Sequence, residues 1–177
     1  MTYKTHVAFA LLPAIIISQH LEASEAERIF FLLGTAIGAL LPDLDEPGSY
    51  ISKRIPIIPS LLKIMGVPHR GVTHWFFTSL FFLAAMFLLV KTYFFDFPLY
   101  SILLYGLAVG YFMHLAGDMM TKGGIDKFFY PLSNAKIAIM PKAIRFYTGS
   151  MVENILWLLF VGVDILIYSG IDYAQFI

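Results

Sequence analysis

Residues 69–90 read HRGVTHWFFTSLFFLAAMFLLV. From Val72 to Val90 there are 19 residues without a formal charge, close to the ~20 that a helix needs to cross a bilayer. Two histidines and an arginine stand at the mouth of that run. A hydrophobic segment that opens on two metal-ligating side chains combines an anchor with the beginnings of a site.

Composition extends this reading to the whole chain. Of its 177 residues, 59% are hydrophobic and 14% charged, and the mean hydropathy is +0.76. A soluble core cannot absorb so much apolar surface and still leave polar cover. The chain therefore reads as a single domain over 1–177, an all-α polytopic membrane bundle of about five helices. The apolar segments are His6–Ser18, Ile29–Leu41, Val72–Val90, Phe97–Gly117 and Ile155–Gly170. The last three are about long enough to span, whereas the first two are short and can form a re-entrant pair. Lys4 before an apolar stretch imitates a signal peptide, but no small-x-small cleavage pattern follows, so the segment is expected to be retained. Gly34 and Gly38 in segment two could admit another helix closely, although such spacing also arises by chance. The apolar piece Ile55–Val67, inside the long loop Pro42–Gly71, is expected to lie in the membrane interface.

Sidedness follows from the charges. Lys4, Lys53, Arg54, Lys63, Arg70, Lys122, Lys127, Lys136, Lys142 and Arg145 share one face, ten of the twelve basic residues. Arg28 and Lys91 fall opposite, with Glu22, Glu25, Glu27 and Asp96. The positive-inside bias makes the basic face cytoplasmic in an inner (cytoplasmic) membrane. A formal net charge of zero argues against nucleic acid as the main partner. Membrane lipids are the expected partners.

The same face collects the ionisable residues of the segment ends. His6 opens segment one, Asp43 and Asp45 follow segment two, and His69 and His74 open segment three. His114 and Asp118 close segment four at i, i+4 spacing, so both project from one helical face. Glu153 opens segment five. Its spacing from Ser150 also suits a capping box, as Asp43 and Asp45 suit turn and cap chemistry. His20 lies at the opposite end, and Asp164 lies roughly 16 Å from Glu153 along its helix, outside the cluster. With zero cysteines, metal ligands must be His, Asp or Glu. His6, Asp43, Asp45, His69, His74, His114 and Asp118 are the candidate ligands for one or two divalent ions. That donor set suits zinc, with manganese or iron as options. Asp43, Asp45 and Glu153 are the candidate catalytic carboxylates. Arg70 and Arg145 are the candidates to bind an anionic substrate.

At these residues the chain resembles the YdjM-like family of bacterial and archaeal inner-membrane metal-dependent hydrolases, some of them described as LexA-binding. The matching elements are Thr5-His6, Gly38-x-x-Leu41-Pro42-Asp43-Leu44-Asp45, His69-Arg70-Gly71-x-Thr73-His74, His114-x-x-x-Asp118 and Ser150-x-x-Glu153. They run in order along nearly the whole chain. A remote similarity to zinc-dependent phospholipase C and its nuclease relatives implies a helical metal site and phosphoester hydrolysis. The His-x-x-x-Glu pair typical of those soluble enzymes is absent here. The expected activity is metal-dependent hydrolysis of a phosphoester on a lipid or polyprenyl phosphate. The alternatives are a non-enzymatic membrane protein with a structural metal or a regulatory role, and a small metal transporter.

Overall fold

The computed structural model describes residues 1–66 and 70–170. It is all-helical: α1 Tyr3–His20, α2 Glu25–Gly38, α3 Ile57–Ile64, α4 Phe76–Leu89, α5 Pro98–Met119 and α6 Met151–Tyr168. Short 3-10 turns, Leu41–Asp45 and Val72–His74, sit after α2 and before α4, and α4 runs on through a π turn at Val90–Phe94. Among the described residues, three helical stretches are long and apolar enough to cross a membrane: Phe76–Phe94, Pro98–Met119 and Met151–Tyr168. Helices α1 and α2 are not among them, although α1 reaches 18 residues, longer than its apolar run. One helix more than expected is present. It is the eight-residue α3, within the apolar piece expected at the interface; its Ile57, Leu61 and Ile64 are exposed.

Local signals set the ends. Ser24 caps α2, its hydroxyl accepting from Glu27 N–H while the Glu27 carboxylate accepts from Ser24 N–H at 2.7 Å, a capping box. Pro98 sits in the first turn of α5, where its missing N–H costs nothing. Ser150 caps α6 by accepting from Glu153 N–H.

The bundle is built on the α2–α5 pair. Gly34 and Gly38 of α2 face Leu103 and Leu107 backbone of α5, while Gly106 and Gly110 of α5 face Phe31 and Thr35 carbonyls of α2. A Cβ at any of the four would run into the opposing main chain. Glycine on both helices at i, i+4 spacing is what lets the backbones touch. Helix α1 packs on α2, α5 and α6, and α4 packs on α5. The 120–150 segment folds over the end of α5, where Ile125 and Phe128 join Tyr111, Leu115 and Met119 in the largest apolar cluster. Phe76 N–H bonds to the Phe128 carbonyl at 2.8 Å, fastening this segment to the start of α4.

Candidate metal centre

The close α2–α5 seam decides what surrounds His114. Immediately beyond Gly38, the Ala39 carbonyl meets His114 Nδ1 at 2.7 Å. A carbonyl can only accept, so Nδ1 carries the proton and Nε2 is left with its lone pair. The chain then turns through Leu41–Asp45 and brings Asp43 Oδ1 to 3.6 Å from that Nε2. One turn further along α5, Asp118 directs Oδ2 to 3.8 Å from the same nitrogen.

His74 arrives from the 3-10 turn ahead of α4. Its Nε2 lies 3.6 Å from Asp118 Oδ2, and its Nδ1 lies 3.0 Å from Thr73 Oγ1 and 3.4 Å from Asp45 Oδ2. Thr73 in turn donates to Asp45 Oδ2 at 2.5 Å, and Tyr111 donates its hydroxyl hydrogen to the Thr73 carbonyl. Thr73 thereby ties His74 to Asp45. His6 from α1 stacks on His114 with ring centroids 3.7 Å apart and places Nε2 3.3 Å from Asp118 Oδ1. His6, His74, His114, Asp45 and Asp118 are all buried.

Among the described residues, two overlapping groups of donors result: His6, His114 and Asp118, and Asp43, His74 and His114, each with its ligand atoms within 4.8 Å of one another. These residues fit a divalent ion. Metal–nitrogen and metal–oxygen bonds of about 2.0–2.2 Å separate neighbouring ligand atoms by roughly 3–3.6 Å. The separations of 3.3–3.8 Å around Asp118 and His114 lie at and slightly above that spacing, and most are too long for hydrogen bonds. Both ring nitrogens of His6, His114 Nε2 and Asp118 Oδ2 are buried without a hydrogen-bond partner among the described residues. Buried polar atoms left in that state are costly, and one cation would satisfy several together. Since Nδ1 is committed to Ala39, His114 can serve only one ion. Desolvation raises the Asp43 carboxyl above its ordinary value, opposed by the charge of nearby His6.

The remaining candidates fall into different positions. Asp45 stands behind His74, as a carboxylate orienting the imidazole from its far nitrogen, and is not in either donor group. Glu153 is also outside them. Its carboxylate accepts from Thr2 N–H and Gly149 N–H, both at 2.5 Å, fastening the start of α1 to the start of α6. Arg70 donates to Asp118 Oδ1 at 2.9 Å and to the Gly124 carbonyl at 2.8 Å, from a left-handed backbone conformation with φ 56° that is uncommon outside glycine. The Met1 amino group also contacts Asp118 Oδ1. Arg145 donates to the Met140 carbonyl and lines a separate basic cavity with Lys122, Lys136 and Lys142. His69 lies outside the described residues.

A polar cavity of about 420 Å³ opens beside the cluster, with Asp43 and Arg70 in its wall. Asp43 is the donor that reaches both, its side chain 18% exposed against 1% or less for His74, His114 and Asp118. Sequence reasoning missed the Ala39 carbonyl and Tyr111, and named Thr73 only as part of the His69–His74 element. Tyr111 lies one helical turn before His114 on α5, a spacing that could have drawn notice.

A helical membrane protein with a buried histidine–aspartate cluster at one end of its bundle is the class that fold and site define. The family model described as YdjM inner membrane protein matches residues 1–175, and the chain belongs to that family. The uncharacterized protein YvsG of Bacillus subtilis (strain 168) is 28% identical over 156 residues, covering 88% of this chain and 86% of that protein. The inner membrane protein YdjM of Escherichia coli (strain K12) is 27% identical over 134 residues, 71% of this chain and 63% of that protein. The YdjM protein of Shigella flexneri aligns with the same identity and coverage. No solved structure matches the chain.

Proposed function

We propose that this protein is a metal-dependent hydrolase of the inner membrane that cleaves a phosphoester of a lipid or polyprenyl phosphate at the cytoplasmic face. The observation that carries the proposal is the convergence of Asp43, His74, His114 and Asp118 donor atoms, with His114 Nε2 presented by the Ala39 carbonyl behind it. A divalent ion there, with zinc favoured by the N/O donors, supplies Lewis acidity toward a phosphoryl oxygen and lowers the pKa of water towards neutrality.

The chain's own residues do the rest. Asp45 and Ala39 hold His74 and His114 in the tautomers that face inward. Asp43, at the boundary between the buried cluster and the polar cavity, can orient a water and accept its proton. Arg70 places a guanidinium in the same cavity wall, where exchanging its contact with Asp118 Oδ1 for phosphate oxygens would hold the substrate. The inner-membrane and cytoplasmic assignments rest on the family and on the basic face.

The test is turnover of phosphatidic acid and of a polyprenyl phosphate by pure protein before and after metal removal. Loss of phosphate release on chelation and its return with zinc or manganese is expected. Activity indifferent to chelation, or no turnover of any phosphoester by metal-loaded protein, sinks the proposal.

A further inference from the structure

We infer that the groove between α1, α2 and α6 seats one hydrocarbon chain of a lipid whose phosphate headgroup occupies the polar cavity beside Asp43. The inference rests on the hydrolase reading for the headgroup's fate, but not for its binding. The groove encloses about 520 Å³ and is walled almost wholly by apolar side chains, within the range of ligand sites. From its mouth it follows α1 from Lys4 to Leu11, about 10 Å at helical rise, with Trp157 at the mouth beside Lys4 and Asp164 farther along the same face of α6.

The two cavities meet at one place. Tyr3 and Tyr50 line both, and their rings stack at 4.2 Å. A molecule extending past this aromatic pair has a polar chamber on one side and an apolar trough on the other. Charge selects the headgroup. Lys4 Nζ sits 4.7 Å from the Trp157 ring at the mouth, the Arg54 guanidinium lies 3.6 Å from the Tyr50 ring, and Arg70 lines the chamber, whose wall also carries the Asp43 and Glu46 carboxylates. Three cations against two carboxylates favour a headgroup of net negative charge over a zwitterionic one, whose phosphate is offset by its own cation.

Asp164 is the polar exception in the deeper part of the groove wall. Its Oδ1 is buried without a hydrogen-bond partner among the described residues, so a purely hydrocarbon occupant leaves that cost in place. Replacing it with leucine should therefore strengthen, not weaken, the binding of such a chain.

Trp157 provides the readout, since the chain has two tryptophans and Trp75→Phe leaves Trp157 alone. Full-length protein in phosphatidylcholine vesicles would be titrated with dibrominated-chain phosphatidic acid, and separately with dibrominated-chain phosphatidylcholine. Phosphatidic acid should give additional, saturable quenching that inorganic phosphate does not abolish. Ala36→Leu or Val161→Phe, each adding bulk inside the groove, should weaken it about tenfold. Lys4→Gln should weaken it too, while Asp164→Leu should preserve or strengthen it. Equal quenching by the two lipids overturns the inference, since the groove then only faces bulk bilayer. It is overturned as well if inorganic phosphate displaces the lipid, if both filling variants bind normally, or if Asp164→Leu abolishes binding. Specific quenching without turnover would remove the hydrolase and keep the lipid site; turnover without specific quenching would do the reverse.

Discussion

His114 has one nitrogen held by a main-chain carbonyl and the other presented to Asp43 and Asp118, and this commitment separates ligands from supports. His114→Ala should abolish bound metal in a protein that remains helical. Asp45→Asn should keep the fold but reduce metal affinity by about 10–100-fold, because its carboxylate stands behind His74 and Thr73; equilibrium dialysis against zinc measures both. Glu153→Gln should leave the metal content intact and instead expose residues 1–5 to hydrogen exchange, since its carboxylate holds Thr2. The spacing of His114 and Asp118 made their shared face legible in advance. Glu153 was ambiguous because the capping-box spacing is real, as Ser150 shows, and spacing says nothing about where the carboxylate itself turns. Asp45 and Asp43 are chemically identical and two residues apart, so the sequence could not distinguish them; among the described residues Asp45 is met by Thr73 and His74, and Asp43 by His114.

The α2–α5 seam carries the site at the scale of elements. Gly38→Leu or Gly110→Leu should force the two backbones apart, lowering stability by about 1–3 kcal/mol or more and withdrawing the Ala39 carbonyl from His114, so thermal stability and metal retention should fall together. Gly34 and Gly38 were visible in the sequence as a small-residue pattern. Their partners Gly106 and Gly110 could not be matched to them, because spacing within a helix does not say which helix it meets. The start of α2 offers a pH test. Ser24 holds the Glu27 carboxyl below its ordinary value by hydrogen bonding. The resulting stability is complete above the ordinary glutamate range and is lost as pH falls through the lowered value; Ser24→Ala should flatten that acid-side dependence in thermal unfolding. In the 120–150 segment Ile125 and Phe128 enter the core with almost no regular structure to announce them in the sequence.

Across the whole molecule, segment ends far apart in sequence meet at one end of the bundle. His6 begins α1, Asp43 follows α2, His74 precedes α4, and Asp118 closes α5. Alternating chain direction predicts that meeting, so the shared end of the bundle was legible from topology. The bounds of α1 and α2 were not, because both helices begin in polar stretches, Tyr3–Thr5 and Glu25–Arg28, that apolar runs do not mark. Single cysteines at Asp96 and Lys142, in a chain that has none, should react differently in intact cells: an impermeant maleimide should label Asp96→Cys from outside and spare Lys142→Cys.

If the cluster around His114 binds a divalent metal, elemental analysis of protein purified without chelator, set beside His114→Ala prepared identically, will show it. One or two divalent ions per chain in the parent and none in the folded variant is the predicted result. A metal-free parent that takes up neither zinc nor manganese on dialysis, or equal metal in both proteins, would contradict it.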